Sequence, residues 1–362
     1  MGSESYWLDT APVFTGAQLG DLPRQVDVAV VGGGFTGLAA AGASVVVLDA
    51  GRVIGEASGR NGGQCNTGVA QDYAGLHASL GAAKARAYYQ AYESAVQTVV
   101  SLVEQEGIAC DMVRNGKLKL AAKPMHYEGL ARTCELIRQE VDANVELLNA
   151  EQTHAEVNST QFHGGLLQPT LFRSHAGQVL LATGACQHGD LGWYRRRIVP
   201  VGSFVIATEV LPQALIDQLL PQRRAYVTSR IIGNYFRLTP DNRLLFGGRA
   251  RFAMSDSVSD VKSGKVLQAA MLNMFPQLAD VKIDYCWGGL VDMTSDRLPR
   301  AGQQGGVFHS MGYSGHGVQM SVHMGQVMAE VMAGNVAANP WRELEWPAIP
   351  GHAYYRFQDY LH

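Results

Sequence analysis

The chain has 362 residues, with 47% apolar and 17% charged side chains, enough for two cores of ordinary globular composition. A net charge of −3 excludes the basic footprint of a nucleic-acid-binding protein, and no apolar run reaches the roughly 18 residues of a membrane span. The five cysteines form no CxxC pair, and the opening MGSESYWLDTAPVF lacks the regions of a signal peptide, so reduced thiols, a cytoplasmic location and no metal site are expected.

The first informative stretch runs from Asp27 to Ala50. Val28 to Val31 is an apolar, β-branched run of the kind that forms a buried parallel strand. Gly32-x-Gly34-x-x-Gly37 follows: a tight strand-to-helix turn, a close backbone approach for a diphosphate, and close helix–strand packing. ASVVVLDA then reads as a second buried strand ending in Asp49, an acid suited to a ribose hydroxyl. Strand, glycines, helix start, strand and terminal acid in that order predict a dinucleotide site. The spacing is short, however. Only eleven residues separate Gly37 from Asp49, whereas a crossover between parallel strands takes a dozen or more. Residues are therefore expected to be missing near Ala41–Gly42.

EASGRNGGQCNTG (56–68) is a glycine-rich polar loop able to surround a cofactor with backbone N–H groups. Residues 82–105 read as a helix with apolar positions Ala91, Ala95, Val99, Leu102 and Val103, and 125–142 as another. Between them NGKLKLAA reads as a strand, with Lys117 and Lys119 on its solvated face. LLQPTLFRSHAG runs from a strand end to a turn with no connecting element, a second place where residues are expected to be missing. GQVLLATGA (177–185) reads as a third buried strand. WYRRRIV is a basic cluster expected on a solvated or ion-paired face. Residues 198–210 and 231–249 alternate as antiparallel strands, the second pair joined by a hairpin at TPDNR. Near the C-terminus, glycines 312, 315 and 317 precede a helix whose Met320, Met324, Met328 and Met332 form a buried stripe. The uncapped start of that helix can face negative charge. His323 is expected to be packed or exposed rather than functional; His316, in the glycine loop, is a candidate.

Together VDVAVVGGGFTGL, VVVLDAG, EASGRNGGQ, VLLATGA, NYFRLTPDNRLLFGGR, DRLPRAG and GYSGHGVQMS resemble the flavin-dependent amine and amino-acid oxidases related to D-amino-acid oxidase, glycine oxidase and sarcosine oxidase. Within that family the chain most resembles the γ-glutamylputrescine oxidases. The resemblance implies an α/β fold: a Rossmann-type FAD-binding domain (1–75, 145–197 and 288–362) interleaved with an antiparallel-sheet substrate domain (76–144 and 198–287). It implies FAD, bound non-covalently because Gly289 occupies the position of the cysteine that tethers flavin in sarcosine oxidases; Cys286 lies three residues earlier. Gly32, Gly34, Phe35, Thr36 and Gly37 should hold the diphosphate, and Asp49 with Ala50 the adenosine ribose. Ser58, Gly59, Arg60, Asn61, Gly62, Gly63 and Gln64 should line the flavin. Ala182, Thr183 and Gly184 should lie by the adenine half, and Gly312, Tyr313, Ser314, Gly315, His316, Gly317 and Val318 by the isoalloxazine. Family chains are longer, with deficits here near Ala41, Pro169 and His352–Ala353.

The implied activity is oxidation of the C–N bond of a small amine such as γ-glutamylputrescine, by hydride transfer to flavin N5, in polyamine catabolism. Products are an aldehyde, ammonia and reduced flavin, reoxidised by oxygen or a quinone. His316, Tyr235, Arg237 and Arg249 are pocket candidates, and no general base is required. The arginine that clamps the substrate carboxylate in glycine and D-amino-acid oxidases is replaced by Val291, which favours an amine without a carboxylate at that spot. The alternatives are an oxidase or dehydrogenase of a secondary or cyclic amino acid (sarcosine, pipecolate) and a catalytically inactive FAD-binding protein. A nicotinamide enzyme would leave ASGRNGGQ and GYSGHGV without a role.

Overall fold

The computed structural model describes residues 4–12, 14–17, 28–39, 45–108, 110, 112–113, 115–168, 184, 192–230, 233–248 and 257–351. Helix α1 (Tyr6–Thr10) is capped by Ser5, whose hydroxyl accepts from the Leu8 amide. The β-branched runs form β1 (Val28–Val31) and β2 (Val45–Leu48), which pair in parallel from Val28↔Val45 to Val31↔Leu48. Between them the described helix α2 (Phe35–Ala39) has five residues, so the parallel pairing forms despite the short crossover. The expected gaps at Ala41–Gly42, Pro169 and His352–Ala353, and the strand expected at 177–185 apart from Gly184, lie outside the described residues.

Helices α3 (Ala57–Arg60) and α4 (Tyr73–Leu80) lead into α5 (Ala82–Gln105), as its apolar periodicity predicts. Strand β3 (Lys117–Leu120), helix α6 (Pro124–Glu140), β4 (Glu146–Leu148), α7 (Ala150–Glu156), β5 (Gly165–Gln168) and α8 (Gly192–Arg195) follow. The next segment comprises β6 (Val199–Val210), α9 (Gln213–Leu219), β7 (Ala225–Thr228), β8 (Asn234–Leu238), β9 (Arg243–Gly248), α10 (Ser257–Met274) and β10 (Ile283–Met293). Strands β11 (Arg300–Gln304) and β12 (Val307–Met311) form a hairpin before the final long helix, α11 (Gly317–Met332).

Eight strands make one mixed sheet in the order β10-β6-β9-β8-β7-β3-β5-β4. The β8–β9 hairpin turns at the TPDNR segment, with Asn242 in the left-handed region (φ 69) and its amide on the Thr239 carbonyl at 3.1 Å. Strand alternation sorts the two faces: Phe204 and Ile206 of β6 and Cys286 of β10 join the core under α10, while Val205, Ala207 and Trp287 pack with Tyr6. Strands β4 and β5 pair into this sheet, β5 against β3, and β10 continues in it to Met293. A second core lies among α4, α5, α6 and α11, where Met320, Met324 and Met328 are fully buried and Met332 packs at the edge. In the basic cluster, Arg197 lies 3.9 Å over the Trp193 ring and donates to the Trp346 carbonyl.

Candidate functional site

The glycine turn after β1 is built without room to spare. The Gly32 amide donates to the Leu48 carbonyl at 2.7 Å, and a Cβ at Gly37 would run into the Gly32 carbonyl oxygen and stand 2.8 Å from Val30. Two amides of the turn are held by the protein's own side chains. Asp49 accepts from Gly33 at 2.6 Å and Gly51 at 2.8 Å, and Ser58 Oγ accepts from Phe35 at 3.0 Å. Asp49 therefore braces the turn as well as standing at the β2 end expected for a ribose acceptor. Ala50 follows it, exposed.

The 58–68 loop is fixed by bonds to β8 and β10 of the eight-stranded sheet. Arg60 donates to the carbonyls of Gly55 (3.1 Å) and Gly288 (3.2 Å), and Trp287 donates to the Arg60 carbonyl. Asn61 closes a turn on the Gly63 amide at 2.7 Å. Gly59 receives the Ser5 hydroxyl on its carbonyl. Gly62 and Gly63 lie against Tyr235 and Arg237 of β8, where side chains in place of hydrogen would strike both. Arg237 donates from Nε to the Gly62 carbonyl at 3.0 Å, and Gln64 donates to the Phe236 carbonyl at 3.3 Å. Burial pushes the Tyr235 phenol up and lowers the Arg237 guanidinium to about 10.

The GYSGHG turn meets this loop from the other side. Gly312 (φ 79), Ser314 (φ 52) and Gly315 (φ 94) are left-handed, and the turn is anchored by Asp292, which accepts from the Gly312 amide at 2.6 Å. Burial raises the Asp292 carboxyl to about 6, opposed by the Gly312 amide. Gly184 (φ 55) lies beside the same carboxylate, 3.9 Å from a Cβ built on it. The Tyr313 hydroxyl bridges Thr36 (3.2 Å) and Ser310 (2.9 Å), tying the glycine turn of β1 to the start of α11. Gln319 donates to the Asn66 carbonyl at 2.8 Å, which brings the 58–68 loop to the same helix end. His316 is the N-cap of α11 but makes no side-chain cap, so it leaves the first-turn amides of Gly317 and Val318 uncapped by a side chain. Its ring packs edge-on against Tyr92 at 5.4 Å, and burial followed by the nearby Lys117 charge lowers it to about 3. Among the described residues, His316 Nδ1 and Gln319 Oε1 are buried without a hydrogen-bond partner, and nothing lies within 4 Å of a Cβ built on Gly315 or Gly317.

The structure thus brings together Thr36, the 61–64 loop, Tyr235, Arg237 and the 312–318 turn. Ala182, Thr183 and Arg249 lie outside the described residues. His323 is packed, with Nδ1 2.9 Å from Thr98 Oγ1. Val291 of β10 pairs with Val201 of β6. Gly289 faces the Arg60 side chain, and Cys286 points into the opposite core, its thiol on the Asp260 carbonyl and pushed up to about 12 by burial.

Two side chains at this site were missed in the sequence. Asp292 had a signal there: an acid between Val291 and Met293 in an apolar run is a buried acid that needs partners. Lys117 was assigned to a solvated face, and this is corrected. It is 9% exposed, and its Nζ donates to the Thr67 carbonyl at 2.5 Å, because β3 lies inside the sheet between β5 and β7 and the 66–68 loop covers it. A cavity of about 810 Å³ opens here, walled by Phe35, Val99, Leu102 and Val318, with Cys65, Lys117 and Arg237 among its polar lining.

Residues 27–182 and 170–331 match the family described as FAD dependent oxidoreductase (DAO). The chain is 30% identical to the gamma-glutamylputrescine oxidoreductase of Escherichia coli (strain K12) over 400 residues, covering 92% of this chain and 93% of that one. That alignment is longer than the 362 residues of the chain, so the relative carries internal residues that have no counterpart here. The fold is similar to L-proline dehydrogenase from P. horikoshii (TM-score 0.65, 16% identity, 93% of this chain and 99% of that one). It is also similar to glycine oxidase from Bacillus cereus ATCC 14579 (TM-score 0.64, 16% identity, 86% and 95%).

Proposed function

The chain belongs to the FAD-dependent oxidoreductase (DAO) family, and from that membership we propose that it oxidises the C–N bond of a small amine of the γ-glutamylputrescine type. It is an FAD-dependent enzyme acting on C–N bonds of amines or amino acids. The residues present fit the cofactor. Gly37 leaves no space for a side chain under the turn, Gly315 and Gly317 leave open space at the α11 start, and His316 Nδ1 and Gln319 Oε1 await partners there. When bound, FAD supplies the acceptor for the electron pair that leaves the C–N bond.

The remaining work is done by this chain's side chains and backbone. Gly32, Gly34, Phe35, Thr36 and Gly37 would hold the diphosphate, Asp49 the ribose, and residues 58–64 with 312–318 the ring. The uncapped α11 start, with its positive dipole end, would stabilise negative charge developing on the ring. His316, neutral throughout the physiological range, offers a hydrogen-bonding nitrogen and no charge. Arg237 and Tyr235 hold the 62–63 backbone against β8 and so set the height of the loop over the cavity. Non-covalent attachment is supported by the burial of the Cys65 and Cys286 thiols, which pushes both up to about 12. The substrate amine gives its proton to water, and none of these side chains is needed as a base.

The observation carrying this reading is the 30% identity over 92% of the chain with the gamma-glutamylputrescine oxidoreductase. The test is reconstitution with FAD followed by anaerobic addition of γ-glutamylputrescine, putrescine, sarcosine or pipecolate. Loss of the yellow absorbance with the first supports it. Bleaching by pipecolate or sarcosine alone shifts the substrate to a secondary amino acid, and bleaching by none refutes amine oxidation. Hydrogen peroxide formed on admitting air identifies oxygen, rather than a quinone, as acceptor.

A further inference from the structure

Four consecutive carbonyls of the 58–68 loop are each taken by a side chain of α1, β8 or β10. Ser5 Oγ donates to Gly59 at 2.5 Å, Trp287 Nε1 to Arg60 at 2.9 Å, Trp7 Nε1 to Asn61 at 2.7 Å and Arg237 Nε to Gly62 at 3.0 Å. These donors stand together: Trp287 and Trp7 pack in one cluster with Tyr6, Tyr235 and Tyr285, and the Arg237 guanidinium lies 5.1 Å from the Trp7 ring. A trans peptide is planar, with its C=O and N–H pointing in opposite directions. Holding the carbonyls of Arg60 and Asn61 toward this cluster therefore aims the amides of Asn61 and Gly62 away from it, while the Gly63 amide is spent within the loop on Asn61 Oδ1.

Helix α1 reaches the loop because it is fastened separately to the large sheet. Tyr6 donates to Asp241 in the β8–β9 turn at 2.8 Å, and Tyr285 of β10 donates to Asp9 at 2.7 Å. A helix of five residues does not persist by itself, so these tertiary bonds hold it in place. Within α1, Trp7 touches the loop most closely. Its indole N–H is on the Asn61 carbonyl, its ring edge is 2.8 Å from a Cβ built on Gly63, and its ring faces Arg237. Ser5 serves both the loop and the α1 cap, whereas the indole has a single donor and gives it to the loop.

We propose that Trp7 is a positioning residue for the cofactor: by pinning the Asn61 carbonyl it turns the Gly62 amide toward the flavin ring, where an N–H dipole favours the electron-rich reduced form. This inference rests on the reading of residues 58–64 as the ring-lining loop and is independent of which amine reacts.

The test uses the full chain loaded with FAD and no amine. Trp7→Phe keeps an aromatic ring and removes the N–H. A dye-coupled redox titration should show a lower midpoint potential, equivalent to reduced FAD losing about fivefold more affinity than oxidised FAD, the worth of one net hydrogen bond, and the absorption maxima of the bound flavin should shift. Tyr6→Phe is the control. It loses the bond to Asp241 but none to the loop, so it should lower the melting temperature and leave potential and spectrum unchanged. An unchanged potential in Trp7→Phe overturns the proposal, as does an equal fall in Tyr6→Phe. The unsubstituted protein gives a second test, which decides the matter if Trp7→Phe fails to fold. Coupling is reciprocal, so FAD should slow hydrogen exchange in α1 together with residues 59–64, and not in α9. Exchange in α1 that is indifferent to FAD overturns the proposal. Bleaching by amines is scored separately: its absence refutes amine oxidation and leaves the role of Trp7 standing.

Discussion

Replacing Asp292 by Asn tests the account of the GYSGHG turn. The carboxylate is 8% exposed and burial raises it to about 6 from 3.8, which corresponds to ~3 kcal/mol of disfavour for the charged form at neutral pH. Because the folded-state value lies above the unfolded one, the unfolded chain binds fewer protons in that window. The group's contribution to stability therefore falls as pH rises from about 4 to about 6, and is level above that. Asn keeps an oxygen for the Gly312 amide and removes the charge. With an unfolding entropy of about 2.1 cal/mol/K per residue over 362 residues, ~3 kcal/mol corresponds to a shift of about 4 °C in melting temperature. The assay is differential scanning calorimetry of both proteins from pH 4 to 7.5. Asp292→Asn should gain on the original protein by several degrees between pH 4 and 7, with the change centred between 4 and 6. A difference in melting temperature independent of pH would refute the buried-carboxylate account. A large loss at every pH would show that the turn needs both carboxylate oxygens.

Three further outcomes are expected. Gly37→Val drives a branched side chain into the Gly32 carbonyl and Val30, so purified protein should lose its yellow absorbance and show FAD affinity weakened at least a hundredfold by fluorescence quenching. His316 is lowered from 6.5 to about 3, so its neutral state supports the fold above 6.5 and that support is lost progressively as pH falls; His316→Gln should reduce the acid sensitivity of melting between pH 6 and 4. Arg224→Met strands Glu156, a bidentate partner at 2.8 and 3.1 Å that is 14% exposed, and should cost about 3 kcal/mol, read as a melting temperature lowered by about 4 °C.

Much of this was legible in the order of residues because it is local. A β-branched run before three spaced glycines specifies a strand and a turn without help from the rest of the chain, and the periodicity of 82–105 specifies α5. What the sequence could not supply is what covers each face. Lys117 alternates with Leu118 as a half-wetted strand would, yet β3 is an interior strand and the 66–68 loop closes over its polar side. The contact of Thr36 with Tyr313 joins positions 277 residues apart, beyond the reach of any local pattern. The short crossover was readable as a shortage of residues, whereas the parallel pairing of β1 with β2 is a tertiary outcome. His316 was a candidate by its place in a glycine loop, but its neutral state follows from burial against Tyr92 and the Lys117 charge, neither of which is near it in sequence.

The hydroxyl of Tyr313 joins two turns that lie 277 residues apart. A ribosome making this protein delivers the glycine turn after β1 277 residues before its counterpart. The nascent chain therefore cannot close around a flavin until Tyr313 has been made, and until then the Gly-rich loop stays half-walled. Cells starved of riboflavin should accumulate this polypeptide in a protease-sensitive form, and truncation shortly before Tyr313 should leave a product that no supply of vitamin rescues.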